Sequence, residues 1–359
     1  LLLEVSRRVN MTQTIKQTTE ARVLTGRAAR ISSAKSAFKI EELSYKAPTG
    51  HQVRLKLQAC GVCHSDSFTV EGAFPGISYP LVPGHEIVGI VDAVGSEVHR
   101  LKPGDRVGIG WYGGHCGECI SCLKGDFITC IKLQTPGLTG DGGYAEYGIF
   151  PDSACAKVPE GLSSADAAPL LCAGITTFNA IRHAGVMPGD TVAILGIGGL
   201  GHLAVQFANK MGCKTVAIAR GKEKEKFAKE LGAHVYIDSE APGAVKSLAD
   251  AGGAKLILAT AASSKAMSPW VDGLCVGGSL VIVGLGFEPL DISPLQLIPG
   301  RKSVKGWPSG TAQDSEDCMN FAALTGIKPM LEKYPFDKVS QAYDRMMSGA
   351  AKFRVVLEF

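Results

Sequence analysis

Cys116, Cys119, Cys122 and Cys130 bring four thiols within fifteen residues, spaced Cys-x2-Cys-x2-Cys-x7-Cys, in a glycine-punctuated lobe spanning 111–131. A tetrahedral Zn²⁺ needs four soft donors about 2.3 Å away, and short Cys-x2-Cys steps let one turning backbone deliver them. Four protein ligands leave no open position, so a metal here holds structure. Buried free thiols or two disulfides are the alternatives, but so dense a cluster in a long, otherwise ordinary chain favours metal.

A second constellation is Gly196-Ile197-Gly198-Gly199-Leu200-Gly201, a G-x-G-x-x-G run placed directly after an apolar strand, Thr191 to Leu195, and opening a helix. The first glycine permits a tight turn and the second lets the backbone approach a pyrophosphate. The third allows close helix packing, and the helix N-terminus favours the negative charge. The alternative is a glycine-rich turn in some other α/β sheet; the strand before and the helix after argue for a dinucleotide. An acidic residue is expected about twenty residues on if the ribose 2′-hydroxyl of NAD is held there. That position is Ala219, followed by Arg220, Gly221 and Lys222. An uncharged pocket beside two cations suits the 2′-phosphate of NADP, so NADP(H) is preferred and NAD(H) is possible. Alternatively, Arg220 faces solvent at the start of a charged helix face.

The elements that must position these residues fall into two patterns. From Ala21 to about Ala165, short β-rich runs (Val53 to Ala59, Ile87 to Val94, Arg106 to Trp111, Tyr144 to Phe150) are separated by turn signals such as Pro83-Gly84 and Pro103-Gly104-Asp105. From about Pro169 strands alternate with helices. Thr191 to Leu195 precedes the helix Gly199 to Met211, and Thr215 to Ala219 precedes the helix Lys222 to Leu231. Leu256 to Ala259, Ser279 to Leu285 and Ser303 to Trp307 read as further strands. That period predicts a parallel, doubly wound sheet. Phe353 to Phe359 reads as a strand that rejoins the first domain.

The chain has 359 residues, 45% hydrophobic and 20% charged, enough for about two domains with large cores. No apolar run reaches the roughly 18 residues of a spanning helix, so a membrane role is not expected. A net charge of +3 is too small to imply nucleic acid, and the lobe lacks the basic and aromatic flanks of a nucleic-acid ribbon. The seven cysteines outside the lobe show no disulfide rhythm, which fits a reducing compartment, the cytoplasm. Residues 1–20 are expected to be a disordered extension; their arginines and those just after them weakly suggest an organelle transit peptide.

These motifs, with Gly61-Val62-Cys63-His64-Ser65-Asp66, Gly84-His85-Glu86, Asp141-Gly142-Gly143-Tyr144-Ala145-Glu146 and Leu171-Cys172-Ala173-Gly174-Ile175-Thr176, resemble the zinc-dependent medium-chain alcohol dehydrogenases over essentially all of 21–359. The resemblance implies an α/β fold: a GroES-like irregular β catalytic domain over 21–168 and a Rossmann doubly wound parallel-sheet cofactor domain over 169–308. Residues 309–359 would return to the catalytic domain. It implies a catalytic zinc on Cys63, His85 and Cys172, so two Zn²⁺ per subunit. Ser65 would exchange the substrate proton, His64 contact the cofactor pyrophosphate, and Asp66 orient His85. Glu86 would stand close behind the zinc, Thr176 touch the nicotinamide, and Arg354 pair with pyrophosphate. Many relatives carry a histidine three residues after the hydroxyl, where this chain has Phe68; the proton would then leave by ribose and water, or by His64. Phe74 and Trp111 fall where yeast-type members line the substrate cleft, although packing in the core is an equal reading. The implied reaction interconverts primary alcohols and aldehydes. A cinnamyl-type aromatic aldehyde reductase and a catalytically silent sensing member of the fold are the alternatives. The short stretch between Cys130 and Asp141 resembles the tetrameric branch, so a homotetramer is expected.

Overall fold

The computed structural model describes residues 23–359; the expected extension at residues 1–20 lies outside the described residues. Two large sheets organise the chain, beside a two-stranded antiparallel sheet of Leu24–Arg30 and Lys39–Tyr45. The first is parallel throughout, with strands in the order Val235–Asp238, Lys214–Ala219, Thr191–Leu195, Ala254–Ala259, Leu274–Ile282 and Ser303–Gly306. Both its faces are covered, which explains the near-continuous apolar runs. Val192 and Ile194 enter one core layer, while Ala193 and Leu195 enter the other. Thr191–Leu195 lies between the strand that follows it and Ala254–Ala259, so the strand order reverses beside it. Such a reversal opens a crevice at the carboxyl ends of the strands, where ligands of open α/β sheets bind.

The second sheet is mainly antiparallel. Its order is Leu331–Pro335, Arg354–Glu358, Gln52–Val62, Glu86–Val94, Arg106–Ile109 and Ala156–Lys157, with Tyr147–Pro151 also paired to Gln52–Val62. The expected C-terminal strand therefore does rejoin the first part of the chain, with Val355 opposite Val62. Several expected boundaries shift. The run predicted from Tyr144 becomes strand only at Tyr147, because the Tyr144 backbone N–H and carbonyl bond to Pro83 and Ala29 instead, and the run from Arg106 ends at Ile109. The helix predicted over Lys222 to Leu231 shortens to Glu225–Glu230. Among the described residues no helix is long and apolar enough to cross a membrane.

Candidate metal centres and cofactor loop

The antiparallel pairing places two distant residues side by side. Gln52–Val62 ends just before Cys63, and Glu86–Val94 begins just after His85, with Gly61 opposite Glu86. Gly61 is obligatory there, since a Cβ would come within 1.8 Å of Glu86 Oε2. Cys172 arrives on a π-helical turn, Leu170–Gly174, that continues the helix Ser164–Pro169. Ligand atoms of Cys63, His85, Glu86 and Cys172 then all lie within 4.8 Å of one another. The Cys63 and Cys172 Sγ atoms are 3.8 Å apart. Two donors on a tetrahedral ion with bonds of about 2.3 Å stand about 3.8 Å apart, so the spacing fits zinc. His85 Nε2 is buried without a hydrogen-bond partner, an arrangement that is costly unless a cation occupies its lone pair.

Asp66 organises this cluster from behind. Its Oδ1 is 2.8 Å from His85 Nδ1, which fixes the ring with Nε2 facing the thiols. Its Oδ2 accepts from the Cys63 backbone N–H and from the Tyr144 hydroxyl, both at 2.8 Å. Without a metal, the Cys172 thiol bonds to Cys63 and pulls the Cys63 pKa well below the ordinary thiol value, while Cys172 is pushed up. Burial tends to lower the His85 pKa, but Asp66 and Cys63 raise it overall. Glu86 is buried and ion-paired with Arg354; burial lifts its pKa to about 7 against the pull of that guanidinium.

The four-cysteine lobe closes a second cluster. Its Sγ–Sγ distances are 3.5 Å for Cys119–Cys122 and Cys116–Cys130, and 3.9 Å for Cys116–Cys122 and Cys119–Cys130. These bracket the tetrahedral edge, with all four corners supplied by protein. A short helix, Ile120–Leu123, and a turn at Phe127–Thr129 fold the backbone around them. Backbone N–H groups of Cys122 and Ile131 hold the Cys119 pKa down to about 6, whereas burial pushes Cys122 up to about 12.

At the glycine run, Gly196 adopts φ +103°, and a Cβ on Gly201 would fall 1.9 Å from the Gly196 carbonyl oxygen. Both positions therefore exclude side chains. A Cβ on Gly199 would meet Arg354 Nη1 at 3.1 Å, which places that guanidinium against the loop as well as on Glu86. Gly198 and Leu200 complete the turn into the helix Gly201–Lys210. Ala219 is buried and Arg220 exposed. Two neighbours went unnoticed in the sequence: Lys224 Nζ donates to the Ile197 carbonyl at 3.0 Å, and Asp238 Oδ1 accepts from Gly221 N–H at 2.9 Å. Asp238 comes from the adjacent strand, opposite Ala219, so linear distance along the chain hid it.

The remaining expected residues are distributed as follows. His64 is exposed, Ser65 half-buried, and Thr176 buried on the helix Ile175–Arg182 just after the Cys172 turn. Trp111 meets the His85 ring edge to face at 5.0 Å. Phe74 is 47% exposed and packs against Phe68, with centroids 6.2 Å apart. A cavity of about 600 Å³, lined by Arg30, Tyr45, Gln134 and Asp141 among others, includes none of the metal-ligand candidates.

Residues 49–160 match the alcohol dehydrogenase GroES-like domain family, and residues 199–324 match the zinc-binding dehydrogenase family. An alcohol dehydrogenase of Penicillium expansum is 45% identical, over 89% of this chain and 93% of its own length. A cinnamyl alcohol dehydrogenase structure from Sorghum bicolor superposes with a TM-score of 0.85 at 30% identity, covering 93% of this chain and 98% of the other. A Helicobacter pylori structure, described as CAD complexed with NADP(H), gives 0.83 at 26% identity, covering 94% and 99%.

Proposed function

Because the chain belongs to the zinc-dependent medium-chain alcohol dehydrogenase family and is an alcohol oxidoreductase, we propose that it interconverts primary alcohols and aldehydes with a nicotinamide cofactor, NADP(H) in preference to NAD(H). The observation that carries the reading is the cluster of buried Cys63 and His85 with half-buried Cys172, in which His85 Nε2 has no hydrogen-bond partner. A zinc ion on these three groups would supply Lewis acidity toward the alcohol or carbonyl oxygen, and the dinucleotide would supply or accept hydride. Two thiolates and a neutral imidazole would balance a doubly charged cation and offer it three protein ligands.

The chain's own residues do the rest. Asp66 fixes the tautomer of His85. The Ser65 hydroxyl, two residues after Cys63, takes or gives the proton at Oγ. Phe68 cannot pass it on, so the exposed imidazole of His64 offers an exit. Thr176 and Arg354 would flank a bound cofactor, Arg354 standing between the glycine loop and Glu86. Trp111 narrows the approach to His85. Ala219 leaves no carboxylate at the strand end itself, the Asp238 carboxylate opposite it accepts from the Gly221 N–H, and Arg220 offers a cation to a 2′-phosphate. The relative crystallised with NADP(H) supports the same preference. We divide the chain at 168 and 308, assign a second, structural zinc to the lobe, and take the active form to be a cytoplasmic homotetramer.

Initial rates of butanal and benzaldehyde reduction with NADPH and with NADH, before and after treatment with a chelator, test this reading. Turnover should prefer NADPH and vanish on metal removal, and Arg220→Ala should raise KM for NADPH about tenfold with little change for NADH. A preference for NADH would overturn the cofactor assignment alone. A strong advantage for cinnamaldehyde over butanal would favour the aromatic reductase reading, which the Sorghum bicolor similarity supports.

A further inference from the structure

His202 and Gln206, four residues apart on the helix Gly201–Lys210, reach from the parallel-sheet layer to the backbone that leads into the antiparallel sheet. His202 is fully buried. Its Nε2 lies 3.2 Å from the Met330 backbone N–H. A backbone N–H can only donate, so Nε2 is the acceptor and Nδ1 carries the proton, which it gives to the Gly198 carbonyl at 3.0 Å. Gln206 Nε2 donates to the Lys328 carbonyl at 3.0 Å, and its Oε1 accepts from Lys328 N–H at 3.3 Å. The imidazole stacks on Phe353 at 5.1 Å, and Phe353 stacks on Phe227 at 5.0 Å.

These contacts converge on positions that already have duties. Gly198 belongs to the glycine loop. The Met330 carbonyl accepts from Arg354 N–H at 3.0 Å and from Phe353 N–H at 3.2 Å. A continuous path therefore runs from the loop through His202 and Met330 to Arg354, whose guanidinium returns to the loop at Gly199 and reaches Glu86. Burial, helped by Arg354, holds the His202 pKa down to about 4, so near pH 7 the ring keeps the neutral form that both hydrogen bonds require.

We propose that His202 is a positioning residue that holds the dinucleotide loop in register with Arg354, so that a nicotinamide dinucleotide meets a cradle already set for its pyrophosphate. The inference rests on reading Gly196–Gly201 as the dinucleotide site. It is tested by titrating the zinc-loaded wild type, H202F and Q206L with NADPH and NADH, following nucleotide fluorescence, alongside KM and kcat. H202F keeps an aromatic ring for Phe353 and loses both ring hydrogen bonds. Each such bond changes an equilibrium by roughly two- to tenfold, so the nucleotide Kd should rise about tenfold, with KM rising more than kcat falls. Q206L leaves Gly198 untouched and should weaken binding only two- to threefold. If H202F does not fold, H202N serves: it retains a donor for Gly198 but is too short for Met330, and should show an intermediate Kd. A folded H202F, or H202N in its place, with a lowered thermal midpoint but a wild-type Kd would make the role merely structural and overturn the proposal. A wild type that binds neither nucleotide would overturn the dinucleotide reading, and this inference with it.

Discussion

In the lobe, four thiols drawn from a fifteen-residue stretch close every corner of a tetrahedron, with edges of 3.5 to 3.9 Å. In the buried cluster, two thiols 109 positions apart sit 3.8 Å from each other and share the site with one imidazole and a glutamate committed to Arg354. The sulfur–sulfur spacing is nearly the same, but the donor sets and the surroundings differ. Cys116 and Cys119 are only half-buried, and backbone N–H groups support the lobe's sulfurs. The open cluster, with Cys63 and His85 buried and Cys172 half-buried, is braced by Asp66, which is held in turn by Tyr144 and the Cys63 backbone. A closed cage needs little beyond its own ligands. A centre with a free position must be held in shape by the protein when that position empties and refills.

Removing a ligand from each cluster in turn should break the comparison most sharply. Cys63→Ser or His85→Ala should lower kcat/KM by about a thousandfold or more, since the centre contributes several kcal/mol of charge stabilisation. Initial rates and zinc content per subunit would check this, with one metal retained in the lobe. Asp66→Asn should cost about ten- to a hundredfold in affinity at the open centre and leave the lobe metal in place. Competition with a chromophoric chelator reads the two metals separately, and equal weakening of both would contradict the division of roles.

A smaller effect concerns the metal-free protein. With its pKa near 6, Cys119 should be largely thiolate at pH 7, and its alkylation should slow about tenfold between pH 7 and pH 5. Cys172, whose pKa is raised by its bond to Cys63 and by desolvation, should stay unreactive across that range, and peptide mass mapping after iodoacetamide distinguishes the sites. The smallest effect on turnover belongs to the lobe. Cys122→Ser should release the structural metal and expose 111–131 to proteolysis while changing kcat by only about threefold. A loss as large as that of Cys63→Ser would mean that the lobe takes part in shaping the reacting centre.

Legibility in the sequence followed distance along the chain. The lobe and the glycine loop could be read directly, because each completes its geometry within a few residues. The alternation of apolar runs located the parallel sheet, with Thr191–Leu195 matching residue for residue, because a strand buried on both faces is apolar throughout. The strands Leu24–Arg30 and Lys39–Tyr45 went unseen, since the second is largely exposed and carries no clear period. Cys63, His85 and Cys172 were identified only through resemblance to a family. Nothing in their spacing states that the end of one strand, the start of its partner and a π-helical turn meet at one point. Asp238 opposite Ala219, Lys224 on the glycine loop and His202 between the two sheets were invisible for the same reason.

The sequence by itself determined the four-thiol cluster, the glycine-rich turn and most of the alternation of strands and helices in the parallel sheet, because short-range spacing and backbone stereochemistry suffice to specify them. Only the tertiary structure decided that an imidazole with an unpartnered Nε2 faces two thiols, that Arg354 joins Glu86 to the loop, and that His202 links the two sheets. Those arrangements exist because antiparallel register and interlayer packing bring together groups that the chain keeps far apart, and no local pattern encodes that meeting.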